Sequence, residues 1–269
     1  MGKNKKGIIS MKEPIKDLQR FREFLGSIPL DKYREELTDV KWVEQDLPKE
    51  ILPLASIFRY YWEERNFLNF EKWFKSFWEE INTDVKSKKA LKGFKKYYFN
   101  KKLNENGWFK KGFKARMYRT WVSVLTQLDF CYLFEYICAK ENKNLKLECN
   151  AELDVKGIDA KVNEIEFQVA KITYRKEGRS ASKRKNLVII PYPVFDIDEL
   201  ERKIKSPRVR NKTLYQKSLQ AFNKYFIRLS NGFVVFHENY LKPIIDNIDS
   251  VEKVRKVIEK ILSELLGEQ

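Results

Sequence analysis

A chain of 269 residues, 43% apolar and 14% aromatic, holds the material for a sizeable core, which excludes a disordered polyelectrolyte. Its net charge of +16 calls for a polyanionic partner; a single histidine, His237, and three scattered cysteines (Cys131, Cys138, Cys149) leave Ser-His, Cys-His and multi-histidine metal chemistry nearly excluded. No GxxxxGK[ST] phosphate loop, signal peptide or apolar run near 18 residues is seen, so a cytoplasmic setting without a membrane partner is expected, and catalysis falls to carboxylates and lysines.

Pro14 opens a predicted helix with Ile15, Leu18, Phe21 and Leu25 on one stripe, and Gly26 can stop it. Residues 51–78 are rich in aromatics (Phe58, Trp62, Phe67, Trp73, Phe77) and read as helices whose rings pack inside. Residues 13–84 are mildly acidic. The sign then reverses: from Lys86 to Arg116 there are twelve Lys or Arg and one acid, Glu105. Asn104 to Gly107 reads as a turn. A boundary near residue 112 separates a helical N-terminal region, 1–112, from a core, 113–269.

A long helix is predicted from Lys114 to about Lys140. Its stretch Phe130–Cys138 is apolar except for Glu135, so it belongs inside a domain. Strands are expected over 145–154, 157–162 and 165–174, with Asn163-Glu164 as a two-residue turn between the last two. Leu187–Tyr192 reads as a buried strand. Residues 212–229 read as a helix with Tyr215, Leu219, Phe222, Phe226 and Leu229 spaced by four and three. Phe233–Phe236 is a short strand, and His237 after it reads as a capping or surface histidine. A last helix carries Val251, Val254, Val257, Ile258, Ile261, Leu262 and Leu265, with Gly267 as its cap. This order predicts an α/β fold, a mixed β-sheet core flanked by helices.

The hairpin holds the candidate chemistry. On 157–162, Ile158, Ala160 and Val162 share one face, and Asp159 and Lys161 the other. On the next strand Ile165, Phe167 and Val169 form the apolar set, opposed by Glu166 and Gln168. The alternation then breaks, because Ile172 and Tyr174 have the other parity. A β-bulge near Ala170 would reset the phase and turn Lys171 onto the face of Glu166 and Gln168. The two-residue turn would set Asp159 opposite Gln168 and Lys161 opposite Glu166. Asp159, Gln168, Lys171 and Glu166 are thus expected to converge. A carboxylate and a second oxygen ligand can hold Mg²⁺ beside a phosphate, and a lysine can serve the attacking water. Glu135, an ionisable group in an apolar helix, needs a partner, for which Arg116 or Arg119 is a candidate. Glu166 has Lys161 as an alternative partner.

Asp159, followed across a hairpin by Gln168-Val-Ala-Lys171, resembles the PD-(D/E)xK nuclease motif, and the order of helix and three strands resembles that superfamily's core over residues 113–240. The layout is similar to type II restriction enzymes, and Arg116–Tyr132 with Gln168–Arg175 resembles the TaqI-like family. The resemblance implies a restriction-endonuclease-like fold and cleavage of double-stranded DNA at a specific sequence. It further implies Mg²⁺, with Mn²⁺ as a substitute, a homodimer, and a cognate DNA methyltransferase as genetic partner. It makes Asp159, Gln168 and Glu135 metal ligands and Lys171 the residue serving the water, with Glu166 as a further acid. Three features depart from the motif. Gln168 replaces the acid, the spacing to Lys171 is one residue too long, and Ile158 stands where a proline is usual.

Expected DNA contacts are Arg175, Lys176, Arg179, Lys183, Arg184 and Lys185, a run with seven cations and one acid counted from Lys171. Arg208 and Arg210, and Lys95, Lys96, Lys110 and Lys111, complete the set. The N-terminal region is expected to contact DNA or form a dimer. Two other functions fit the same fold: a non-catalytic nucleic-acid-binding protein, and a structure-specific repair or resolvase nuclease.

Overall fold

The computed structural model of the protein describes residues 13–37, 47–99, 106–172, 184–193, 197–210 and 212–267. The chain divides into two compact units, Met1–Leu128 and Asp129–Gln269.

The first unit is helical. Helices α1 (Pro14–Ser27) and α2 (Leu30–Leu37) precede a 3₁₀ turn at Lys49–Ile51. Helix α3 (Leu54–Phe58) runs into a π turn, Arg59–Glu63, and α4 (Phe70–Thr83) and α5 (Val85–Phe99) follow. Asn69 starts α4 by accepting the Lys72 N–H at 3.0 Å. Phe58, Trp62, Trp73 and Phe77 are buried, and Phe67 stacks on Phe24 at 5.7 Å, so the aromatic-rich segment is core, as its sequence suggests. The stripe on α1 differs from expectation at its first residue. Ile15 is 59% exposed, and Asp17 is buried with Leu18, Phe21 and Leu25. Asp17 offsets its desolvation by pairing with buried Arg65 at 3.4 Å, whose guanidinium lies 4.1 Å from the Trp62 ring centroid.

Helix α6 is one long element, Asn106–Lys140, starting earlier than the sequence indicates. Of the turn expected at Asn104–Gly107, Asn106 and Gly107 are already helical and the rest lies outside the described residues. By length and composition alone, Lys110–Lys140 could cross a membrane, although no uninterrupted apolar run reaches that length; 67% of its most apolar window is buried inside the protein, as in a core helix.

The second unit is built on a four-stranded mixed sheet in the order β1-β2-β3-β4: β1 (Leu147–Glu148), β2 (Ala160–Val162), β3 (Ile165–Ile172) and β4 (Leu187–Pro193). The first three strands are antiparallel neighbours, and β4 runs parallel to β3. Phe167 of β3 meets Phe130 of α6 at 5.6 Å, fixing the face of the sheet against that helix. The first strand is much shorter than the predicted 145–154. Asn150 accepts the Leu153 N–H at 3.0 Å and turns Ala151–Val155 into a short helix, α7.

Two further helices, α8 (Ile197–Lys205) and α10 (Glu238–Asp246), were not evident in the sequence. Helix α9 (Lys212–Tyr225) stops short of Leu229, because Phe226–Arg228 forms strand β5 against β6 (Val234–Phe236). The apolar spacing continues through Phe226, so periodicity alone could not mark that end. The chain closes with α11 (Val251–Leu265), which buries Val254, Ile258, Ile261 and Leu265 as its stripe dictates. His237 caps α10, its Nδ1 accepting the Asn239 N–H at 3.1 Å.

Candidate active site

The turn between β2 and β3 is the two-residue turn that Asn163-Glu164 suggests. Val162 pairs with Ile165, and Asn163 takes φ of 52°. Lys161 stands opposite Glu166, and Ala160 opposite Phe167. The Asp159 N–H also donates to the Phe167 carbonyl, at 2.8 Å. Asp159 and Ala160 therefore both face one residue of β3. The extra residue lies here on β2, and Ile158, Asp159 and Ala160 are buried in succession. It does not lie near Ala170: β3 pairs with β4 without a break from Glu166↔Leu187 to Ile172↔Pro193. The expected phase slip exists, but in the partner strand.

This placement changes which side chains share a face. With β3 regular, Val169 and Lys171 follow Phe167, and Ala170 follows Glu166 and Gln168. Lys171 is exposed, one pleat beyond Val169, roughly 7 Å along the strand. Gln168 faces the other way; its Nε2 lies 3.7 Å from where a Cβ on Gly157 would sit. The structure therefore brings Lys171 toward the Asp159 end of β3 and does not put it with Gln168 and Glu166.

Asp159 is 4% exposed, and its Oδ2 accepts the Val169 N–H at 2.5 Å. The carboxylate thus takes the place of the carbonyl that a longer β2 would offer to β3. Burial pushes its pKa up to about 7; the Val169 N–H opposes this, and the nearby charge of Asp154 reinforces it. Asp154, on α7, is the residue the sequence reading missed. Burial lifts its pKa to about 6, and its Oδ2 is buried with no hydrogen-bond donor among the described residues. A buried oxygen of this kind costs free energy unless something positive meets it. The sequence signals were Asn150, able to cap a helix, and Gly157, whose φ of 74° ends the turn that follows.

Glu135 lies on α6 one turn from Cys131, and the buried Cys131 thiol senses the charges of both Asp159 and Glu135. Even so, no group of three or more carboxylate, thiol or imidazole ligands comes within metal-holding distance among the described residues. The close pair is Asp154 and Asp159.

Of the expected DNA contacts, Lys96, Lys110, Lys111, Arg184, Lys185, Arg208 and Arg210 are exposed and Lys95 is half-buried. Arg184 Nη1 donates to the Lys156 carbonyl at 2.9 Å, which ties the chain before β4 to the loop after α7. Arg175, Lys176, Arg179 and Lys183 lie outside the described residues.

The profile of the TaqI restriction endonuclease family matches residues 18–248. The type II restriction enzyme TaqI of Thermus aquaticus is 37% identical over 246 residues, which cover 85% of this chain and 87% of that protein. A second type II restriction enzyme, from Thermus thermophilus, is 35% identical over 243 residues, with the same coverage. No solved structure matches the chain significantly. A profile match across both units, together with similarity over most of the length, shows that the chain belongs to the TaqI restriction endonuclease family of site-specific DNA endonucleases.

Proposed function

We propose that the protein is a type II restriction endonuclease that needs a divalent cation, Mg²⁺ or its substitute Mn²⁺, to hydrolyse phosphodiester bonds in double-stranded DNA at a fixed sequence. Asp154 and Asp159 are its cation ligands. The observation that carries this reading is the buried Asp154 Oδ2, without a described donor, next to a second buried carboxylate. Two anionic oxygens withdrawn from water suit a hard divalent cation, so the residues fit the group. When bound, the cation would supply Lewis acidity and positive charge at the scissile phosphate.

The chain's own groups divide the remaining work. The Val169 N–H fixes one Asp159 oxygen, which orients the other. Lys171 presents an ammonium group beyond Val169, where it can donate to a phosphate oxygen or to the attacking water and offset negative charge developing on phosphorus. Water attacks phosphorus and the P–O bond to the leaving oxygen breaks. Glu135, on α6, is assigned as a further acid of the site, while Gln168 and Glu166, on the other face of β3, are assigned to supporting rather than ligating roles. The basic run around Arg184 and Lys185, with Arg208, Arg210 and the Lys95–Lys111 stretch, holds the DNA backbone. A homodimer would cut both strands, and a cognate methyltransferase would protect the host's sites.

Incubating the pure protein with plasmid in Mg²⁺ or Mn²⁺ tests this. Discrete fragments are expected with metal, none in EDTA, and none from Asp154→Ala or Asp159→Ala in either metal. Cleavage in EDTA, or full activity of both variants, overturns the site assignment.

A further inference from the structure

Two of the three cysteines, 18 residues apart in sequence, meet in the second unit. Cys131 lies in mid-α6 and Cys149 follows β1, and their sulfurs are 3.2 Å apart with both thiols free. Cys131 is 0% exposed and Cys149 7%. We propose that Cys131 and Cys149 form a two-thiol site that a peroxide closes into an intramolecular disulfide, stapling α6 to the segment that carries Asp154.

Both backbones are already anchored. Cys131 is inside a continuous helix. Cys149 is held between the Leu147↔Val162 and Glu148↔Lys161 pairs and Asn150, the cap of α7. The sulfurs need approach by only about 1 Å to reach bonding distance. Burial on both sides excludes a thiol from another chain, and it excludes bulky disulfides as oxidants. A small neutral peroxide is the oxidant class that can enter.

The reaction balances in two steps. The more accessible sulfur, Cys149, attacks a peroxide oxygen. The O–O bond breaks, giving a sulfenic acid at Cys149 and one water. Cys131 then attacks the Cys149 sulfur. The S–S bond forms, the S–O bond breaks, and the hydroxyl leaves with the Cys131 proton as a second water. Two thiols lose two hydrogens, and one peroxide is reduced to two waters. Burial raises the Cys131 thiol well above the usual range, so it attacks as the slower, resolving partner.

The bridge closes a short loop, which lowers the entropy of the unfolded chain. For a protein of this size the melting temperature should rise by roughly 5–10 °C. The test treats the full chain with hydrogen peroxide, then counts free thiols with a maleimide in denaturant. The untreated chain should label at all three cysteines and the oxidised chain at Cys138 alone, with its mass lowered by two hydrogens. Cys138→Ser should show the same oxidation and the same rise in melting temperature, and no labelled thiol. Cys131→Ser and Cys149→Ser should each keep both remaining thiols and show no rise. Three labelled thiols after peroxide that fully oxidises a free thiol control, a gain of oxygen mass in place of the loss, or an unchanged melting temperature each overturn the staple. None of these readouts depends on the cleavage activity.

Discussion

Folding favours the protonated form of Asp159 and disfavours its charged form. An aspartate in the unfolded chain loses its proton near pH 4, whereas burial keeps Asp159 protonated up to about pH 7. As the pH rises through that window, the unfolded state gives up its proton first. The stability from this group is therefore full below about pH 4 and is lost as the pH climbs through about 7. Asp154, raised to about 6, acts in the same direction over a narrower window. The penalty at pH 8 is on the order of a few kcal/mol. Asp159→Asn removes it, so the variant should melt above the wild type at pH 8 in EDTA and level with it near pH 4, while plasmid cleavage drops by at least about 100-fold. Melting curves from pH 4 to 8 check this, and a wild type that gains on the variant as the pH rises would falsify it. Asp159 was legible because it stands at a polar position of an alternating strand, across a hairpin from Gln168 and Lys171. Asp154 was hidden because residues 145–154 alternate closely enough to pass for one strand.

Legibility among the elements followed length. Helices α1 and α11 run for 14 and 15 residues, enough for an apolar stripe to declare itself. The β2–β3 turn was legible from Asn163, a residue that tolerates positive φ. Helix α7 has five residues and no stripe, so only its cap marks it. The extra residue of the hairpin was inferred from a parity change at Ile172, yet the hydrogen bonds put it at Asp159. Sequence shows that the phase of a ladder changes, but not which strand absorbs the change. Since α7 carries Asp154 and depends on one cap, Asn150→Ala should cost about 1 kcal/mol of stability. Its effect on cleavage should be larger, about tenfold or more, because the carboxylate loses its fixed position. Asn150→Asp and Asn150→Ser, which still cap, should restore both. Paired measurements of melting temperature and kcat decide it; cleavage that tracks stability alone across the three variants would mean that α7 does not position the site.

The charge on the chain is organised in the same economical way. Many of the 38 acids are engaged on the surface, as in the pairs Lys140–Glu238, Lys203–Glu199, Lys224–Glu264 and Arg228–Asp198. The surplus of 16 positive charges falls largely in the two runs 86–116 and 171–185, the second of which begins at Lys171. If these runs hold the DNA, their attraction for it is long-range and non-specific, and it offsets the repulsion between phosphate and the two proposed carboxylate ligands. Binding of DNA lacking the recognition sequence, followed by fluorescence anisotropy in EDTA, should therefore weaken about 10³-fold or more between 50 and 200 mM salt, as expected for six or more neutralised phosphates. Replacing Lys96 and Lys111, both exposed, with Gln should lower the salt slope by about 2 and weaken binding equally for every sequence, with little change in melting temperature. A salt slope near zero would mean that the surplus charge serves something other than DNA, and a slope unaltered by the double substitution would remove the 86–116 run from the interface.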